Sequence, residues 1–218
     1  MTIGFKEIAC PNCGKQIKMT YKGSQLVLSH KTDLRSVGKS TPTPFITSCK
    51  YCKYTFFDEN VELDKKLLSS YIQSDEYLNI FKKYKGIKNF LIIYHIYKNQ
   101  KLEAKKLNLA LLYTYYISND LDDLRFLVKN YKIFLEKNTE ITRDTLFANI
   151  LIGEYHRRIS DFITAKTIFE KIKTMNNDVN SGFVSMCINM SNFQLKLIAD
   201  KNSNLERYDE KSNRIELF

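Results

Sequence analysis

Two CxxC pairs, CPNC at Cys10 to Cys13 and CKYC at Cys49 to Cys52, stand 35 residues apart near the N terminus. A two-residue spacer lets both thiolates of one tight turn face a common point. Two such turns supply four soft ligands, the tetrahedral shell that a structural zinc ion takes. With Cys10, Cys13, Cys49 and Cys52 all committed, no position is left for water, so the expected role is folding rather than catalysis. A closed site of this kind supplies on the order of 10 kcal/mol of apparent folding free energy to a unit whose own core is small.

The residues around the cysteines refine that expectation. Gly14 follows the first pair, where a residue free to take positive φ lets backbone N–H groups approach the sulfurs. Lys53 occupies the same place after the second pair, so that turn is made without glycine. Alternation in Gln16 to Tyr21 (QIKMTY), the short run Leu26 to Ser29 (LVLS), PFITS before Cys49 and YTFF after Cys52 read as strands. A thioredoxin-like CxxC belongs to a βαβ context with a helix starting at its first cysteine, and none is visible. An iron–sulfur cluster also accepts four cysteines, but paired spacing about a long strand region favours zinc. The fifth cysteine, Cys187 in SGFVSMCINM, sits in an apolar helical context and reads as a small buried hydrophobe.

All three prolines fall in the first 44 residues, and from about residue 61 the pattern changes from alternation to helical spacing. Helices are expected at 62–71, 75–84, 87–98, 104–117, 121–135, 145–159, 162–175 and 180–199, stacked as consecutive antiparallel pairs. The run at 87–98 (IKNFLIIYHIYK) is apolar almost all round, which implies a helix enclosed by others. Two helix pairs overlay at an offset of 41 residues: Leu111 falls on Ile152, Asp120-Leu121 on Asp161-Phe162, Leu124 on Ala165, Val128 on Phe169 and Tyr131 on Ile172. In the second pair, Ile152-Gly153 followed by Ala165, Phe169 and Ile172 fits the tetratricopeptide pattern, where small residues let two helices approach closely. The 41-residue offset, Asn149, Leu112 and the lack of a proline after Met175 depart from it. The expected fold class is therefore α+β: a zinc ribbon over 1–60, an all-α tetratricopeptide-like helical array over 61–200, and a polar tail over 201–218 whose composition permits disorder.

CPNCGK, CxxCxYxxF from Cys49 to Phe57, and LIGEYHRRISDFITAKTIF from Leu151 to Phe169 together resemble a bacterial family of uncharacterised proteins. That family joins an N-terminal four-cysteine zinc ribbon to C-terminal tetratricopeptide-like helices. The resemblance spans roughly residues 8 to 176 and implies fold and zinc binding, while transferring no activity. Lys53 and the polar tail after Asp200 depart from it.

Charge and motifs limit the remaining function classes. The formal net charge is +10, with 9 Lys/Arg against 4 Asp/Glu in residues 1–60, so positive charge is densest in the ribbon. Such a balance suits acidic partners and also simple solubility. The start MTIGFKEIAC has no basic region followed by an apolar run, and no stretch reaches about 18 consecutive apolar residues, so a cytoplasmic chain without membrane insertion is expected. His30, His95 and His156 are scattered, no phosphate-binding glycine loop is present, and Asp122-Asp123 reads as a helix-start pair. The preferred expectation is a non-enzymatic protein–protein interaction module, with a protein or peptide on a concave helical face where Glu154, Arg157 and Arg158 lie. The alternative is a nucleic-acid-binding accessory protein. It would use the basic ribbon and the cluster Lys82, Lys83, Lys85 and Lys88 interleaved with Phe81, Tyr84 and Phe90.

Overall fold

In the computed structural model the described residues are 2–23, 27–38, 43–84, 86, 88–174 and 182–208. Leu26, Lys85, Ile87, Met175, Asn180, Ser181 and the tail from 209, all touched by the sequence reading, lie outside them. The fold is α+β, with short antiparallel strands first and a helical array after them. The chain divides into two compact units: the described residues of Met1–Leu26 and Lys39–Asp123 form one, those of Val27–Gly38 and Leu124–Phe218 the other.

In the first unit, β1 (Ile3–Ala9) and β2 (Gln16–Lys22) form an antiparallel hairpin running from Ile3 opposite Lys22 to Ala9 opposite Gln16. The period-two alternation resolves as expected, with Ile17 and Met19 buried on one face and Phe5 and Lys18 exposed on the other. A shorter hairpin pairs β5 (Thr47–Ser48) with β6 (Thr55–Phe56). Helices α1 (Lys65–Gln73), α2 (Asp75–Tyr84), α3 (Asn89–Asn99) and α4 (Ala104–Ser118) follow. Asp64 caps α1 by accepting from the N–H groups of Lys66 and Leu67, and Asn119 ends α4 in the left-handed region at φ 53°. As its all-round apolarity predicts, α3 is enclosed: Phe90, Ile92, Ile93 and Ile96 are all buried. Phe57, just after β6, packs its ring against Phe90 and Tyr113 at 5.6 and 5.5 Å between centroids, so hairpin and helices share one core.

In the second unit, β3 (Val27–Lys31) and β4 (Ser36–Gly38) form a hairpin, and β7 (Arg207–Tyr208) joins β3 on its other edge, with His30 opposite Tyr208. Helix α5 (Leu121–Lys137) belongs to this unit from Leu124 onward, followed by α6 (Arg143–Arg158), α7 (Phe162–Thr174) and α8 (Gly182–Ala199). Thr142 and Thr145 form a reciprocal capping box at the start of α6. Helices α6, α7 and α8 pack on one another around Phe169, Ile172, Met190 and Phe193, and Leu34 from the β3–β4 turn enters the same cluster. Cys187 is fully buried there, as its context suggests, and burial pushes its thiol up to about 12.

Three of the pairs matched at the 41-residue offset are buried in both helices, Leu124, Val128 and Tyr131 on α5 and Ala165, Phe169 and Ile172 on α7, whereas Asp120-Leu121 and Asp161-Phe162 at the helix starts are not. Gly153 makes the α6–α7 approach possible, because a Cβ there would stand 2.6 Å from Cζ of the fully buried Phe169. Gly to Ala inside a helix ordinarily stabilises by roughly 0.5–1 kcal/mol. Here overpacking costs about 1–3 kcal/mol and outweighs it, so Gly153→Ala is expected to lower stability in urea denaturation.

Candidate metal centre

Each CxxC is the turn of a hairpin, and the two turns are built alike. In the first, the N–H of Cys10 donates to the carbonyl of Lys15 and that of Gly14 to the carbonyl of Cys10, each at 2.9 Å. In the second, Cys49 N–H donates to Tyr54 and Lys53 N–H to Cys49, each at 2.8 Å. Gly14 has φ 71° and Lys53 has φ 63°, so lysine adopts the left-handed conformation that glycine takes without cost. Nothing lies within 4 Å of a Cβ built at Gly14, so its turn needs the conformational freedom rather than the space. Left-handed backbone costs a non-glycine residue roughly 1–2 kcal/mol. Lys53→Gly is therefore expected to leave metal affinity equal or slightly higher, and Lys53→Val, β-branched in the same conformation, to lower it. Chelator competition reads both.

These turns bring four sulfurs to one point. Cys10 Sγ lies 3.7 Å from Cys52 Sγ, Cys13 Sγ lies 3.7 Å from Cys49 Sγ, and all four are within 4.8 Å of one another. An ion bonded tetrahedrally to four sulfurs at about 2.3 Å sets them roughly 3.8 Å apart, so the spacing fits a single metal ion held by thiolates. Among the described residues this is the one group of three or more His, Cys, Asp or Glu placed to share an ion.

Surrounding groups favour thiolate at some sulfurs and oppose it at others. Burial pushes the Cys10 thiol up to about 12, although the N–H groups of Cys13 and Asn12 are directed at it. Burial also raises Cys49, but the N–H groups of Cys52 and Tyr51 and the neighbouring thiols outweigh it and bring that thiol to about 7. Helices α1 and α2 hold the turns from outside. Ser69 on α1 donates to Asn12 Oδ1 at 2.8 Å, and the Asn12 side chain also bonds the Cys52 sulfur. The hydroxyl of the fully buried Tyr77 on α2 donates to the carbonyl of Lys53 at 2.6 Å. The sequence carries no motif that marks Asn12, Ser69 or Tyr77 as supports, since each is joined to its knuckle only by the fold.

The other candidates separate. His95 is half-buried and stacked on Tyr84 at 5.9 Å, with its pKa lowered by burial. His156 Nδ1 lies 2.9 Å from Asp161, and His30 lies in β3. Lys88 pairs with Asp123 at 3.0 Å and Phe90 is buried, so the 81–90 cluster does not present its aromatics together. At the start of α5 the capping side chain is Asp120, which accepts from Asp122 N–H, while Asp122 and Asp123 occupy the first turn.

The expectation for Glu154 and Arg157 is overturned. Both are fully buried and face neither a peptide groove nor solvent. Glu154 accepts from Arg157 through both oxygens, from the Thr32 hydroxyl at 2.9 Å and from Gln194 Nε2 at 2.8 Å. Gln194 also donates to the Thr32 carbonyl at 3.0 Å, and Arg157 donates to the carbonyls of Asn202 and Asn204. The side of α6 and α8 from which these groups project is thus occupied by the chain's own Thr32 segment. Sequence reading missed Thr32 and Gln194 because they lie 122 and 40 residues from Glu154.

No family model matches this chain, and no curated protein or solved structure matches it either. No helix among the described residues is long and apolar enough to cross a membrane.

Proposed function

We propose that this chain is a non-enzymatic interaction module organised around one structural zinc ion. The single observation that carries the reading is the closed set of four thiolates, within 4.8 Å of one another and clasped by α1 and α2 through Asn12 and the Lys53 carbonyl. Four soft ligands in a tetrahedron suit zinc and leave it no position for water or substrate. A reducing cytoplasm keeps such thiols available. The fit of Gly153 against Phe169 supports a tetratricopeptide-like α6–α7 pair. With the cysteine quartet, that pair supports kinship with the uncharacterised ribbon-and-helix family.

Because its own Thr32 segment fills the α6–α8 side, a partner, whether protein or nucleic acid, is taken elsewhere on the molecule. Affinity purification of the zinc-loaded full chain from its native cells is expected to retain a macromolecular partner in near-stoichiometric amount. Retention of nothing, together with turnover of a small-molecule substrate, would overturn the reading.

A further inference from the structure

The outer face of the β1–β2 hairpin and the adjoining knuckles carry two exposed aromatic rings, each attended by lysine. Phe5 is 59% exposed, with Lys18 Nζ 4.2 Å from its ring centroid. Tyr51, in the turn of the second knuckle, is 49% exposed, with Lys15 and Lys50 Nζ at 4.7 and 5.0 Å. A cleft of about 390 Å³ on the same hairpins is lined by Glu7, Gln16, Ile17, Lys18, Ser48 and Lys50, so it contains two of the three lysines that attend the rings. Register places Thr20 opposite Phe5 and Glu7 opposite Lys18, so Glu7 is the acid of this face. Lys15, Lys18 and Lys50 form no ion pair among the described residues. A lysine above an exposed ring covers apolar surface in the free protein and is a phosphate-binding cation when a base takes its place.

The geometry points to this ribbon face as a binding site for single-stranded nucleic acid, with bases stacked on Phe5 and Tyr51 and phosphates held by Lys15, Lys18 and Lys50. The inference rests on the interaction-module reading and names its partner class. Unpaired bases are required, because a duplex buries the ring faces that the two aromatics would stack on. Lys15, Lys18 and Lys50 beside the exposed rings favour a polyanion, and the rings themselves favour one that carries bases.

Fluorescence anisotropy of a short labelled oligothymidylate with the zinc-loaded full chain tests it. Binding is expected to weaken by about tenfold or more in Phe5→Ala/Tyr51→Ala, whose zinc content should be unchanged since both rings are exposed. The slope of log affinity against log salt is expected to become shallower by about 2 in Lys15→Gln/Lys18→Gln/Lys50→Gln, at roughly 0.7 per phosphate for single strands. The corresponding duplex should bind at least about tenfold more weakly than the single strand. The inference is overturned by absent binding, by equal binding of duplex, by indifference to the loss of both rings, or by polyglutamate competing as well as the oligonucleotide. Absent oligonucleotide binding with a protein still retained from native cells removes the partner class and leaves the interaction module standing.

Discussion

Cys49→Ser is expected to release the metal and unfold both knuckle hairpins. Cys49 is 1% exposed and its backbone closes the second turn in both directions, to Tyr54 and from Lys53. Strands β5 and β6 are two residues each, so the second turn has little ladder of its own to hold it once the shell is broken. A hydroxyl is a poor zinc ligand, and a shell with one ligand missing loses most of a contribution on the order of 10 kcal/mol. That is comparable to the whole stability of a domain, about 5–15 kcal/mol. Metal analysis should find well under one zinc per chain, and proteolysis should open the region before α1. The α6–α8 core contains no knuckle residue, so its helical circular dichroism should persist. Retention of a full zinc equivalent by the variant would contradict the assignment of Cys49 as a ligand.

The second large effect is expected at Arg157. Replacing it with methionine leaves Glu154 buried without its main counter-charge, and frees the carbonyls of Asn202 and Asn204 from their donor. Removing one member of a buried pair costs about 3–5 kcal/mol, whereas replacing both with apolar residues costs much less. Arg157→Met should therefore be strongly destabilised in chemical denaturation, and Glu154→Leu/Arg157→Met should recover part of the loss. Burial already raises the Glu154 carboxyl above its ordinary value of 4.5, with Arg157 opposing that rise. A group raised on folding binds protons more readily in the folded state, so its contribution to stability falls as pH rises through the folded value. The deficit of Arg157→Met should accordingly be smallest in acid, below the ordinary carboxylate value, and largest at neutral pH. A deficit independent of pH, or below about 1 kcal/mol, would show that the pair behaves as a surface one.

What the sequence made legible and what it hid follow from the range of the interactions. The quartet could be read because chelation imposes local spacing, and the structure repeats one turn at Cys10 to Lys15 and again at Cys49 to Tyr54. Helix α3 was legible because burial on every side leaves no polar stripe. Lys53 is the instructive case: its sequence position implied a turn lacking glycine, and the turn keeps the same left-handed backbone at a conformational cost. Glu154 and Arg157 read as groups on an open concave face because an i,i+3 spacing of opposite charges is common on exposed helices. What buries them is a strand beginning near residue 27 and a segment after 200, and pairing of His30 with Tyr208 leaves no periodic trace. The 81–90 run likewise looked continuous, yet helical and loop geometry sends Phe90 into the core and Lys88 to Asp123.

The central claim, one structural zinc ion in a closed shell of thiolates, is tested most directly by zinc-edge X-ray absorption on the purified full chain, with metal stoichiometry measured on the same sample. The account requires one zinc per chain and four sulfurs at about 2.3 Å, with no oxygen or nitrogen in the shell. A mixed shell with light-atom ligands, a different resident metal, or well under one zinc per chain would contradict it.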